Sequence, residues 1–188
     1  DGSTYTKDDI VIIPEELIPP AIEDNIYRFN IGDGQLVIRD YYGSDKLIFG
    51  ENITVNDLEF YRTEHQYDPT LSNNYWGTQY ADDLIIKFKN SSDEIIIMNY
   101  YGFDYLYDEN WNTIGYDSPF VVEVLEFSDG QTLTVSDVEN LRTIPDTDGD
   151  DYLVGKTDAN TYNLRGNNRV TDFGGNDTYI STTSAMQI

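Results

Sequence analysis

DTDGDDYLVGKTDANTYNLRGNNRVTDFGGNDTYI, residues Asp146–Ile180, is a ladder of short apolar pieces, each preceded by a turn of Gly, Asp and Asn. Asp151-Tyr152-Leu153, Asn160-Thr161-Tyr162 and Asp177-Thr178-Tyr179 carry the same three-residue step. The first two lie nine residues apart, and the third follows after two further units, one of them a residue short. A nine-residue period with Gly-Asn-Asp turns is the sequence sign of a parallel β-helix. A strand of about three residues then alternates with a turn of about six. Turn carbonyls and Asp carboxylates can meet a hard divalent cation that prefers about six to eight oxygens.

GGNDTYI (Gly174–Ile180) and DGDDYLVG (Asp148–Gly155) resemble the GGxGxDxUx nonapeptide of the RTX (repeats-in-toxin) proteins, the haemolysin-type calcium-binding repeats. Asn160 and Asn168 stand where that pattern expects aspartate, and the doubled glycine survives only at Gly174-Gly175. The resemblance implies an all-β, right-handed parallel β-roll or β-helix-like coil, here with short helical turns and long aromatic loops. Its cofactor would be Ca2+. One site is expected from Asp148, Gly149, Asp150 and Asp151 with the facing Asn167–Asn168 turn, since alternate turns stack on the same side. A second is expected from Asp158, Asn160, Gly175 and Asp177, with Gly174 beside them. The competing reading is that Asp-Gly-Asn stretches are ordinary turns. Gly32–Gln35 and Gly43–Asp45 are read that way, because they offer too few carboxylates.

The charge balance points the same way. Among 188 residues, 35 Asp and Glu face 11 Lys and Arg, a formal net charge of -24. Such a chain repels nucleic acid and anionic membrane and attracts cations. Its 16 Tyr, 8 Phe and 2 Trp argue for a packed β-protein rather than an acidic disordered segment. Folding without counter-ions costs self-repulsion, which bound calcium would relieve, although a solvated acidic surface is the plain alternative. There is no cysteine, hence no disulfide, thiolate nucleophile or zinc–thiolate site. No apolar run approaches the ~20 residues that span a membrane. DGSTYTKDD, at the start, has neither the basic nor the apolar region of a signal peptide and reads as the start of an excised fragment.

DGSTYTKDDI (Asp1–Ile10) matches DGQTLTVSDV (Asp129–Val138) without a gap. Asn25-Ile26-Tyr27 then matches Asn160-Thr161-Tyr162, and RDYYGSDKLI (Arg39–Ile48) matches TDFGGNDTYI (Thr171–Ile180). Ordered matches this far apart imply a tandem array with a unit of roughly 130 residues. The expected organisation is the tail of one unit at 1–13, a proline-rich linker at 14–23, a whole module at 24–141, and the start of the next unit at 142–188. Pro14, Pro19 and Pro20 forbid a continuous helix or central strand in the linker.

Within the module, IYRF (Ile26–Phe29), QLVIRD (Gln35–Asp40) and KLIF (Lys46–Phe49) read as strands separated by turns. A short helical turn is expected at Asn56–Phe60. DDLIIKFKN (Asp82–Asn90) and DEIIIMNYY (Asp93–Tyr101) form a hairpin or successive coil strands. PFVVEVLEF (Pro119–Phe127) alternates, with Val122, Val124 and Phe127 or their neighbours facing inward. Ser136 is the expected N-cap of a short final helix. GDGQLVIRDYYGSDKLIFGENITVNDLEF, DLIIKFKNSSDEIIIMNYYG and VEVLEFSDGQTLTVSDV, in that order, are similar to the haemolysin-type calcium-binding-protein related domain over roughly residues 24–141. That domain is interspersed with RTX repeats in large secreted bacterial proteins. The aromatic stretches 61–80 and 102–118 are enlarged relative to it.

No enzymatic chemistry is expected. His65 is the only histidine and has no evident nucleophile near it in the sequence. Carboxylate pairs such as Asp82-Asp83 and Glu123/Glu126 arise by default among 35 acids. Asp68-Pro69 is similar to the autocleaved bonds of some RTX proteins, but its surroundings are not. Tyr75, Trp76 and Tyr80, or Tyr105, Tyr107 and Trp111, can be read as a saccharide platform or as a cap on an open coil end. The reading favoured is a calcium-binding structural module of a large RTX-type toxin or adhesin. It would leave a Gram-negative bacterium by type I secretion and act outside the cell or at its surface. Its partners would be calcium, neighbouring repeat units and cell-surface glycans, but no nucleic acid. The alternative is a carbohydrate-binding accessory module of a secreted polysaccharide-acting enzyme.

Overall fold

The computed structural model describes residues 4–5, 23–63, 82–145 and 149–181. Most of the proline-rich stretch, His65, the Asp68-Pro69 bond, Tyr75, Trp76, Tyr80 and Asp148 lie outside them. The chain divides into two compact units, residues 1–141 and 142–188, and both are all-β but for short helical turns.

The first unit contains β1 (Thr4–Tyr5), β2 (Ile26–Phe29), β3 (Gln35–Ile38), β4 (Lys46–Phe49), β5 (Leu58–Thr63), β6 (Asp83–Phe88), β7 (Glu94–Ile97), β8 (Asp104–Tyr107), β9 (Thr113–Asp117), β10 (Val124–Glu126), β11 (Thr132–Thr134) and α1 (Val135–Leu141). Successive strands β2, β3 and β4 alternate between two sheets. One sheet runs β1-β2-β4-β10-β11, parallel except for the last pair. The other runs β3-β7-β6-β5, parallel only between β3 and β7. Both sheets are therefore mixed and open. β6 and β7 pair antiparallel as a hairpin, because the few residues between Phe88 and Glu94 are too short for the crossover that parallel strands need.

Period-two alternation sets which face is buried. β3, β4 and β7 each bury their second and fourth residues. The register lines these up: Tyr27, Leu47, Leu125 and Leu133 form a row across one sheet, and Leu36, Ile95, Ile86 and Phe60 across the other. All but Tyr27 are buried, and the rows belong to one apolar core. Stacked rings, Phe29–Phe88 at 5.1 Å and Phe49–Phe127 at 4.8 Å, belong to the same core. In PFVVEVLEF the inward residues are Val122, Leu125 and Phe127, with Val124 half-buried.

The helical turns are fixed by one repeated device. A 3-10 turn at Val55–Asp57, one residue ahead of the expected position, follows Thr54. The Asp57 carboxylate accepts the Thr54 backbone N–H (2.9 Å) and hydroxyl (2.6 Å). Before α1, Asp137 does the same for Thr134 (2.8 and 2.6 Å), and the Asp137 N–H donates back to the Thr134 hydroxyl. The N-cap is therefore Thr134 rather than Ser136; the carboxylate three residues on selects it, as in a capping box. The stretch 102–118, expected as a loop, contains the antiparallel ribbon β8–β9.

The second unit is β12 (Tyr152–Val154), β13 (Thr161–Leu164), β14 (Arg169–Thr171) and β15 (Thr178–Ser181). β12 pairs with β14 and β13 with β15, both parallel, so consecutive strands again alternate between sheets. Tyr162 is buried and stacks on Tyr179 at 5.0 Å, while the Arg142 guanidinium donates to the Val154 and Gly155 carbonyls.

Leu125 sits between Leu47 and Leu133 and is fully buried. Leu125→Ala is expected to destabilise the first unit by about 3 kcal/mol, read as a lower urea midpoint at unchanged slope.

Candidate metal site

Parallel pairing in the second unit stacks its turns two by two. Gly149–Asp151 lies against Gly166–Asn168, and Asp158–Asn160 against Gly175–Asp177, each 17 residues on. That offset is one residue fewer than two nine-residue periods, as the short unit requires. In the first pair the Asp150 carboxylate accepts the Asn167 N–H (2.9 Å), and the Asn168 side-chain oxygen accepts the Asp151 N–H (2.8 Å). In the second the Asp177 carboxylate accepts the Asn160 N–H (2.9 Å). The Asn160 amide nitrogen donates to the Lys156 and Asp158 carbonyls.

Glycine is required where the turns cross. Gly166 and Gly175 have φ of +89° and +117°. A Cβ on Gly175 would lie 2.5 Å from the Asp158 carbonyl oxygen, and one on Gly166 would clash with the Gly149 carbonyl. Gly174 is also left-handed but opens to free space, so it serves the turn rather than the crossing.

The residues singled out from the sequence thus fall into two facing pairs. One holds Gly149, Asp150, Asp151 and Asn168; the other holds Asp158, Asn160, Gly175 and Asp177. Their donors are carboxylate, amide and backbone oxygens, which suit a hard cation such as Ca2+. No three of His, Cys, Asp and Glu gather into a metal-holding group among the described residues. Carboxylates alone therefore do not make the site; carbonyl and amide oxygens would have to complete any coordination.

A third corner, in the first unit, has the same construction, although its turn reads as an ordinary one in sequence. The Asp45 carboxylate accepts the Asn25 N–H (2.7 Å), as Asp177 does for Asn160. The Tyr27 hydroxyl donates to Asp40 (2.8 Å), as Tyr162 does to Asp172 (3.2 Å). Gly43 crosses close over the Glu23 carbonyl, as Gly175 does over Asp158. The alignment of Arg39–Ile48 with Thr171–Ile180 already pairs Asp40 with Asp172, Gly43 with Gly175 and Asp45 with Asp177, and the Asn25–Tyr27 match pairs Asn25 with Asn160 and Tyr27 with Tyr162. Glu123 does not appear in it: it comes from 78 residues downstream, delivered beside β4 by β10, and accepts the Asp45 N–H at 2.6 Å.

This corner is buried and acidic. Asp40 and Asp45 are 8% and 2% exposed. Burial, then the neighbouring Asp40 and Glu123 carboxylates, push Asp45 up to about 7 against its hydrogen bond from Asn25. Burial also raises Asp40 and Glu123 above the ordinary carboxylate range. A group whose folded pKa is raised contributes stability below its unfolded pKa and loses it as pH rises through the folded value. The metal-free chain is therefore expected to melt at lower temperature at about pH 8 than at about pH 5. Asp45→Asn keeps the acceptor for Asn25 and removes the charge. It is expected to raise the melting temperature by roughly 3–6 °C at the higher pH and little at the lower, measured by circular dichroism in EDTA.

A search of curated proteins finds no match to this chain. The family comparison lands inside the first unit, from the start of β6 to the capping aspartate of α1, which is narrower than the span expected from the sequence. Residues 83–137, less than a third of the chain, match the haemolysin-type calcium binding protein related domain.

Proposed function

We propose that this chain is a non-catalytic, calcium-binding structural module of a secreted RTX-type bacterial protein, a toxin or adhesin, and that it completes its fold on calcium outside the cell. The observation that carries the reading is the pairing of oxygen-bearing turns at Asp150/Asn168 and Asn160/Asp177. It occurs in a chain whose residues 83–137 match a calcium-binding-protein related domain. The β12–β15 strands are read as a parallel β-roll, and the first unit as a related coil closed by hairpins. The atom-by-atom likeness of the Asn25/Asp45 and Asn160/Asp177 corners supports a tandem array with neighbouring units in the same parent chain.

In this reading Gly149, Asp150, Asp151 and Asn168 hold one ion, with Asp148 next to Gly149 in the sequence, and Asp158, Asn160, Gly175 and Asp177 hold another. Bound calcium would supply positive charge where stacked turns bring carboxylates together. The residues' own part is to present oxygens from two turns that adjoin only in the folded chain, so the ion binds the native state selectively. Stabilisation then grows as RT ln(1 + [L]/Kd), about 2.7 kcal/mol at a hundredfold excess over Kd. Where calcium is scarce, self-repulsion at net charge -24 opposes folding, which suits export before folding.

Circular dichroism melts in EGTA, millimolar calcium and millimolar magnesium test this. Calcium alone is expected to raise the melting temperature. Asp177→Asn retains the acceptor for the Asn160 N–H while removing a charged ligand, so it should leave the EGTA melt within about 1 kcal/mol of the parent. It should also cut most of the calcium-induced gain. Identical melts in all three conditions would rule the reading out.

A further inference from the structure

Among the described residues of the first unit, most of the exposed large apolar side chains lie on or beside the ribbon β8–β9: Phe103, Tyr105, Leu106, Tyr107, Trp111, Ile114 and Tyr116. Period-two geometry puts Phe103, Tyr105 and Tyr107 on one face, and the register sets Tyr116 directly opposite Tyr105. The rings touch in a chain: Phe103–Tyr116 at 5.9 Å, Phe103–Tyr105 at 5.3 Å, Tyr105–Tyr107 at 6.4 Å and Tyr107–Trp111 at 6.1 Å. Yet Tyr105 is 54% exposed, Tyr116 73% and Trp111 82%. These rings do not cap the core. A two-stranded ribbon is marginal in water without something packed on it, and a contiguous exposed apolar patch marks an interaction site.

The chemistry of the occupant follows from charge and ring geometry. Residues 102–118 contain Asp104, Asp108, Glu109 and Asp117 and no Lys, Arg or His. An anionic ligand is repelled, and a second copy would bring the same acidic ribbon. Neighbouring rings stand at 49° to 89° to one another, so they offer angled walls rather than one flat bed for a sugar. Elsewhere this chain covers tyrosine rings with its own cations: Arg62 over Tyr101 at 4.2 Å, Arg169 over Tyr152 at 4.9 Å and Lys87 over Tyr61 at 5.7 Å. Among the described residues no Lys or Arg is placed over the ribbon's rings. A ring face attracts a cation through its quadrupole, most strongly where water is displaced.

We propose that the β8–β9 ribbon is a docking surface for an extended basic segment of a partner protein, whose Lys or Arg side chains seat on Tyr105, Tyr107, Trp111 and Tyr116. The flanking carboxylates steer the segment, and a strand with cations at alternate positions presents them all to one face.

The test uses the full 188-residue chain and a dye-labelled peptide of about ten residues alternating Arg with Ser, read by fluorescence anisotropy at about 150 mM salt. A Glu-Ser peptide and cellohexaose are the comparison ligands. The Arg-Ser peptide is expected to bind and the other two are not. Tyr105→Leu with Trp111→Leu leaves the net charge at -24 and should weaken binding about tenfold. Glu109→Gln with Asp117→Asn keeps every ring and should weaken it about threefold, more so at low salt. Far-UV circular dichroism matching the parent establishes that both variants fold. Unchanged affinity in the ring variant would reduce the binding to attraction by net charge and overturn the proposal. Ring-dependent binding of cellohexaose in place of the peptide, or no peptide binding, would overturn it as well.

Discussion

The structure depends on carboxylate oxygens accepting backbone N–H groups at the corners of the sheets. Asp45 does this for Asn25, Glu123 for Asp45, Asp83 for Asn99, Asp177 for Asn160 and Asp150 for Asn167. Asp93 accepts from both Gly32 and Gly34. All of these corners but that at the exposed Asn167 would otherwise strand a buried or half-buried donor, which costs about as much as a lost hydrogen bond. Acceptors that satisfy backbone donors need no basic partner, so acids accumulate without cations to match. The imbalance of 35 acids to 11 bases is thus in part architectural. The same solution brings like charges together, and at Asp40, Asp45 and Glu123 burial compounds the repulsion.

Apolar side chains supply what the corners cannot. In the first unit the alternation of buried and exposed positions is strict enough that two rows of residues, one per sheet, meet in a single core. The corners fix register, and the register in turn decides which residues face inward; a slip of one residue would expose Leu47, Leu125 and Leu133 together.

Much of this was legible in the chain. The strands Ile26–Phe29, Gln35–Ile38 and Lys46–Phe49 emerge from alternation and turn residues, because both are local signals. The ladder after Asp146 gave the facing turns, because their spacing is fixed by the coil itself. Glu123 is not legible at the Asp45 corner: its 78-residue separation spans strands β5 to β9, which leave no periodic trace. The N-cap at Thr134 is not decided by local sequence, because Ser136 is equally capable until Asp137 reaches back to choose between them. The aromatic stretch at 102–118 carries only a weak strand signal, because its strands are short and pair across a bulge between Leu106 and Tyr107. The charge of that stretch was visible from the start, but the exposure of its rings was not, since the same residues would serve equally well as a cap.

The antiparallel strand β11, with α1 behind it, has one more consequence. The five-stranded sheet presents the parallel strand β1 at one edge and the reversed strand β11 at the other. Parallel winding can be prolonged on the β1 side, whereas on the β11 side the reversal stops it. The sheet therefore has a polarity, like a filament with one growing end.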